Sequence, residues 1–360
     1  MQSLDFKFRF LDEAGTPQGF LAKKGSLSDE TLTLDGQQIP AIAIENVALR
    51  QDRMVLVIRS GEEPEAYSSI MLVVYSVAAQ LKGMLDAARS QYVAEARRRQ
   101  LQAEGREYEF RAVPCPACGA TLDVTDFEPT PQVYCDFCEV ISTVGTDTPV
   151  KNEGEYKLCD TCGMYSSPRR FTSFYFYFLL VIYGWHSRTS YRCPACMRGE
   201  AWKMLAGNML FVLGVPAAIY QLVRAYGSDR VAGAMAGLHA ANLAAKNGNV
   251  SNAVAGYTKI LDRIPVAAGL HYNLALSLAN SNQLEQAAAA AELSLGDCSN
   301  YRPSAGLLLA LYEQMGQDEQ VAALKKQWGV EDPEPQAADQ QTTDDQAADH
   351  LLEHADDLPQ

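Results

Sequence analysis

The sequence predicts a multidomain α+β chain, with a β-rich N-terminal domain closed by a long helix, a cysteine-rich middle and helix pairs towards the C-terminus. Three observations predict it. Residues 4–75 alternate apolar and polar side chains in short runs separated by turn residues. Four Cys-x-x-Cys knuckles lie between Cys115 and Cys196. From about Ala234 an alanine-rich segment recurs with a 34-residue period. At 360 residues the chain has room for two or three domains.

The first domain is expected over residues 1–105. Phe6, Phe8 and Phe10 alternate with Lys7 and Arg9, and residues 31–34 and 42–44 alternate likewise. Residues 54–58 and 70–75 read as apolar strands, with turns at residues 12–15, Lys24-Gly25 and Asp35-Gly36. A helix is expected over about 76–104, with Leu81, Met84, Leu85 and Ala88 on one face and Arg97, Arg98 and Arg99 towards its solvated end. Many short strands closed by one helix resemble a pleckstrin-homology-type barrel, and an irregular β-sandwich is the other topology. Lys23, Lys24, Arg50 and Arg53 are basic, but they form no evident phosphoinositide pocket.

The knuckles are Cys115/Cys118, Cys135/Cys138, Cys159/Cys162 and Cys193/Cys196, which use eight of the nine cysteines. Each places two thiolates on one side of a tight turn, and two knuckles complete a tetrahedral four-sulfur set around one Zn2+. Eight ligands therefore predict two structural zinc sites with no open coordination position. A disulfide framework needs an oxidising compartment, and the N-terminal Met-Gln-Ser-Leu-Asp-Phe-Lys carries no apolar signal core. A thioredoxin-type pair is one motif at a helix start, not four in series. The J-protein zinc domain follows each knuckle with a Gly-x-Gly pattern that is missing here. Sequential pairing leaves 16 residues between the first two knuckles and 30 between the last two, and predicts ribbons over 106–150 and 151–203. Pairing the second knuckle with the third is the alternative. Pro116 and Pro194 preorganise two of the turns.

The second ribbon encloses residues 171–185, with eight aromatics and no charge, between Arg169, Arg170 and His186, Arg188, Arg192. A further apolar run follows over 205–223, within an expected membrane-associated or transmembrane helix at 204–230. If the last two knuckles share a metal, the insert leaves and returns on one side, so it dips into a bilayer or lies in its interface. Cys159-x-x-Cys162 and Cys193-Pro-x-Cys196 around an apolar stretch resemble the LITAF-type domain of endosomal membrane proteins. Tyr191 stands where that family has histidine. The resemblance implies one zinc tying the ends of a membrane-inserted segment. A buried hairpin in a soluble core is the competing reading, since Phe174, Phe176 and Phe178 alternate with Tyr175 and Tyr177. The rubredoxin pattern matches in part, but its acidic surroundings are missing here.

Gly248, Asn282 and Gly316 recur at the 34-residue interval, followed five residues later by Ala253, Ala287 and Val321. Ala241, Ala275 and Leu309 recur where two helices of a unit cross closely. Over 231–330 this resembles the tetratricopeptide repeat in three units of about 234–267, 268–301 and 302–329. The resemblance implies an α-solenoid whose groove takes a protein partner. Cys298 reads as a small core residue, and His239 and His271 as structural or solvent-facing.

Residues 331–360 hold ten acidic residues and no Lys or Arg, and are expected to be a disordered acidic tail. Without them the formal charge of −14 becomes −4. The core is thus near neutral, which disfavours nucleic acid. The chain shows no phosphate loop, nucleophile elbow, His-Glu-x-x-His or convergent carboxylates, so no catalytic site and no small-molecule substrate are expected. The combined expectation is a non-catalytic zinc-binding scaffold, membrane-associated with its ribbons on the cytoplasmic side, binding lipid and recruiting a protein through the repeats. The alternative is a soluble zinc-ribbon protein serving nucleic acid or a transcription or chaperone complex.

Overall fold

The computed structural model describes residues 3–329 apart from 14, 29, 51, 60–66, 145–151, 180–181, 210–213, 228–230 and 232. The expected acidic tail at 331–360 lies outside the described residues. Two compact units emerge, Met1–Thr125 and Asp126–Asp332.

In the first unit, seven strands form one antiparallel sheet. They are β1 (Leu4–Phe10), β2 (Lys23–Ser28), β3 (Thr31–Leu34), β4 (Gln37–Pro40), β5 (Ile44–Arg50), β6 (Arg53–Arg59) and β7 (Tyr67–Tyr75). Their order, β4-β3-β2-β1-β7-β6-β5, joins two meanders through the pairing of β1 with β7. Phe6 and Phe8 point into the core as the alternation requires, beside Leu32, Leu34, Met54, Leu56 and Leu72. Helix α1 (Ala78–Ala103) closes this core with Leu81 and Leu85. Asp35 and Gly36 both take positive φ (52° and 86°), the geometry a two-residue hairpin needs.

Two local expectations fail. Residues 41–43 form a 3-10 turn with Ile42 exposed, not a strand. Lys24-Gly25 is no turn either. Gly25 lies within β2, where a Cβ would stand 2.6 Å from the Phe6 ring, so the glycine makes room for an aromatic. β8 (Ala112–Pro114) and β9 (Thr121–Asp123) fall within the first compact unit. Thr121 N–H donates to Ser90 Oγ of α1 at 2.8 Å.

The second unit begins with β10 (Gln132–Cys135) and β11 (Val140–Thr143), then β12 (Lys157–Leu158) and β13 (Tyr165–Ser166). The apolar insert is a single long hairpin of β14 (Arg169–Leu179) and β15 (Ile182–Arg192), in register from Arg169↔Arg192 to Leu179↔Ile182. Eleven residues per strand extend about 35 Å. The run at 205–223 is not one helix. It is split between α2 (Pro194–Asn208) and α3 (Val215–Tyr226), and among the described residues no helix is long and apolar enough to cross a membrane. Buried Asn208 donates to Phe174 O at 2.8 Å, and Gly214 packs so closely that a Cβ would lie 2.0 Å from Asn208 Oδ1. Pro216, in the first turn of α3, has no N–H to continue a helix.

Three helix pairs complete the unit. They are α4 (Leu238–Lys246) with α5 (Val250–Leu261), α6 (Ala268–Ala279) with α7 (Leu284–Asp297), and α8 (Arg302–Met315) with α9 (Asp318–Gln327). Gly248, Asn282 and Gly316 take left-handed φ values of 74°, 58° and 69° at the turn inside each pair. The 34-residue spacing therefore marks a repeated turn geometry. A Cβ on Gly256 would lie 2.8 Å from Ala241 Cβ, so α4 and α5 do cross closely at small residues.

Candidate metal centres

Local chain geometry builds each knuckle. Cys115 N–H donates to Ala120 O at 2.7 Å and Gly119 N–H returns to Cys115 O at 2.9 Å, with Gly119 at φ 79°. Cys159 and Gly163 repeat this arrangement, with Gly163 at φ 65°. In the second knuckle Glu139 occupies the same left-handed position at φ 61° and donates to Cys135 O at 2.7 Å. Knuckle four differs, since Cys193 caps the N-terminus of α2 and Pro194 opens the helix.

The side chains converge as sequential pairing predicts. The Sγ atoms of Cys115, Cys118, Cys135 and Cys138 lie within 4.8 Å of one another, and so do those of Cys159, Cys162, Cys193 and Cys196. Cys162 Sγ and Cys193 Sγ are 3.8 Å apart. Zinc–sulfur bonds of about 2.3 Å in a tetrahedron place sulfurs about 3.8 Å apart, the spacing of this one pair. Cys193 N–H also donates to Cys159 Sγ at 3.2 Å, which fixes where that sulfur points.

The electrostatics reflect how closely the sulfurs of the second group are crowded. Hydrogen bonds from Cys162, Cys193 and Cys196 hold the Cys159 thiol far below the usual range, while the bond to Cys159 pushes Cys162 and Cys193 far above it. Four sulfurs this close do not all ionise beside one another unless positive charge offsets them. Both four-cysteine groups can hold a metal ion.

One contributor comes from the repeats. Lys246, the last residue of α4, donates Nζ to Cys196 Sγ at 3.2 Å. Burial works against its ammonium, but the hydrogen bond to Cys196 and the field of the other sulfurs outweigh that and raise its pKa. Tyr191, at the position where a LITAF-type domain has histidine, pairs with knuckle three. Asp160 N–H donates to Tyr191 O at 3.0 Å, and Tyr191 N–H to Asp160 Oδ2 at 2.6 Å. Cys298 is buried in the helical core with its thiol pushed up by desolvation, and it takes no part in either group. His271 Nδ1 contacts Asp297 Oδ2 at 2.8 Å, a helix-end pairing.

Sequence reading missed three asparagines. Asn273 accepts from Tyr165 N–H and donates to Tyr165 O, both at 2.7 Å. Asn242 donates to the same carbonyl at 3.0 Å. Asn300 accepts from Tyr134 N–H and donates to Tyr134 O, both at 2.8 Å. Tyr134 lies on β10 and Tyr165 on β13, each a strand paired on one side only within a two-stranded sheet. The carboxamides supply the hydrogen bonds a third strand would have made. The available signal was polar Asn242 and Asn273 inside helices otherwise rich in Ala and Leu; Asn300, in the turn before α8, carried none.

No family model matches the chain, and no curated protein or solved structure matches it.

Proposed function

We propose that the protein is a non-catalytic, zinc-binding, membrane-associated adaptor. Its ribbons hold two structural zinc ions, its hairpin and α2–α3 face rest on the cytoplasmic side of a membrane, and its tetratricopeptide-like helix pairs recruit a protein. The N-terminal pleckstrin-homology-like sheet completes the scaffold.

One observation carries the membrane part. Ile219, Tyr220, Val223 and Tyr226 make an exposed stripe on α3, continued by Trp202 and Met209 at α2, with Ile219 at 50% and Val223 at 65% exposure. Trp202 Nε1 donates to Tyr226 Oη at 3.1 Å, and Arg198 lies 4.9 Å over the Tyr226 ring. An apolar face edged by aromatics and arginine suits a bilayer interface. Charge points the same way. Residues 161–228 hold seven Lys and Arg against Glu200 alone, in a chain of net −14. That local excess favours an anionic headgroup surface.

The test is flotation of the full chain with vesicles of neutral phosphatidylcholine, alone or mixed with phosphatidylglycerol. Flotation with the mixed vesicles is expected, together with its loss in Ile219→Asp/Val223→Asp at unchanged helical signal. A chain that floats with neither vesicle, or a variant that floats as before, refutes the membrane part. Recruitment is tested separately by a photo-reactive side chain at Leu293, exposed on α7. A defined crosslinked protein is expected in cells, and a chain that crosslinks to nothing refutes it.

A further inference from the structure

The face of the repeats lined by α4, α6 and the start of α8 is already filled by this chain. Tyr134, Tyr156 and Tyr165 of the ribbon region share one core with Leu238, Tyr257, Leu270, Tyr272 and Tyr301 of the helices. What docks there is extended backbone. Asn242 and Asn273 grip both edge groups of Tyr165, and Asn300 grips both edge groups of Tyr134. Carboxamide bonds to main-chain N–H and C=O read no side chain, so the grip suits any extended segment. The side-chain seat is selective. A Cβ on Gly269 of α6 would lie 2.4 Å from the Tyr165 ring, so this glycine leaves space for an aromatic.

The docked strand depends on the second ribbon. Tyr165 follows Cys162 by three residues, and β12 and β13 have two residues each. A unit this small holds its shape through its metal. Helix α4 touches both places, with Asn242 on the Tyr165 carbonyl and Lys246 on Cys196 Sγ.

We propose that this helix face is a binding site for an extended, aromatic-bearing peptide segment, occupied by the chain's own β13 while the Cys159/Cys162/Cys193/Cys196 group holds its metal and opened to a partner when that metal is lost. The inference rests on reading the repeats as the recruiting module. It adds the partner's chemistry, a tyrosine-like ring on a strand without charge at the seat, and the condition for its access.

The experiment uses the full-length protein and a fluorescein-labelled peptide of residues 163–168, Gly-Met-Tyr-Ser-Ser-Pro, which contains no cysteine. Anisotropy is followed while zinc is removed by a chelator under reductant, and far-UV circular dichroism reports the helices. Binding is expected to appear on chelation and to reverse on adding zinc. The apparent affinity is expected to be weaker with zinc bound, in proportion to the fraction of chains that are open. Asn242→Leu/Asn273→Leu is expected to abolish peptide binding by the chelated chain. Equal binding with and without zinc overturns the proposal. So does absence of binding by a chelated chain that keeps its helices, and so does loss of helical signal in step with the metal, which makes the face plain core. Tyr165→Ala supplies a second test that leaves all eight ligands in place. It empties the ring seat but leaves the backbone grip in place, so it is expected to bind the peptide at a lower chelator concentration than the unaltered chain; an unchanged chelator requirement again overturns the proposal. If the peptide never binds but Leu293 still crosslinks a protein, recruitment stands and this backbone site alone is lost.

Discussion

Replacing Asn273 by alanine isolates the asparagine grip on β13. Asn273 is fully buried and makes three bonds, two with the Tyr165 backbone at 2.7 Å and one to Asn242 Oδ1 at 3.1 Å. The bonds are not equally replaceable. Tyr165 O keeps Asn242 Nδ2 at 3.0 Å, and Asn242 Oδ1 keeps the Tyr257 hydroxyl at 2.9 Å. Tyr165 N–H loses its acceptor inside the core, at a cost of about 1–3 kcal/mol, and the two weakened acceptors add about 1 kcal/mol more. The expected loss is about 3 kcal/mol. With zinc saturating, urea unfolding of the second unit's transition should move by about 1 M for a slope near 3 kcal/mol/M. Asn280→Ala, exposed at the end of α6, is the control and should stay within about 0.5 kcal/mol. A loss below about 1 kcal/mol for Asn273→Ala would show that the carboxamide grip does not hold the ribbon.

Further outcomes follow from other residues. Glu139 sits at φ 61° where its counterparts are Gly119 and Gly163, so Glu139→Gly should stabilise by about 0.5–1 kcal/mol, seen as a raised Tm; a lowered Tm contradicts the strain argument. Gly269→Ala should destabilise by about 1–3 kcal/mol through the Tyr165 ring, and a neutral result would mean that the ring has room to move. Burial raises the phenols of Tyr134, Tyr156, Tyr165, Tyr257, Tyr272 and Tyr301 above the usual 10. Their folded pKa exceeds the unfolded one, so their contribution is whole below pH 10 and is lost as pH rises beyond it. Alkaline titration should therefore unfold the second unit in step with tyrosinate absorbance, and tyrosinate forming near pH 10 with the fold intact would refute that burial. Cys193→Ser/Cys196→Ser should lose one metal per chain together with vesicle flotation; unchanged metal content excludes these residues as ligands.

The legible parts of this chain were the local ones. A knuckle is a turn of a few residues, so spacing alone singled out the eight cysteines that the fold gathers, two knuckles at a time, into two groups. The recurrence of Gly248, Asn282 and Gly316 was readable because each turn needs a left-handed residue, and the period survives even where asparagine replaces glycine. Phe6 and Phe8 were readable because a half-buried strand alternates. Non-local features were not. Asn273 and Asn300 meet strands 108 and 166 residues away, and nothing beside them in sequence shows an open sheet edge. The run at 205–223 misled because hydropathy counts Gly214 and Pro216 as small interruptions. In the fold they start a new helix, while Asn208 closes the previous one.

The repeat face also changes what recruitment demands. A groove filled by its own chain offers a partner either its outer surface or a displacement. The carboxamide grips and the two-residue strands β12 and β13 together make displacement the testable route.

The most direct measurement is native mass spectrometry of the full-length protein purified under reducing conditions without added metal. The expected result is the chain mass plus two zinc ions, with both ions lost when Cys118 and Cys162 are changed to serine. A metal-free chain with eight freely alkylated thiols, or a chain that carries iron, would contradict it.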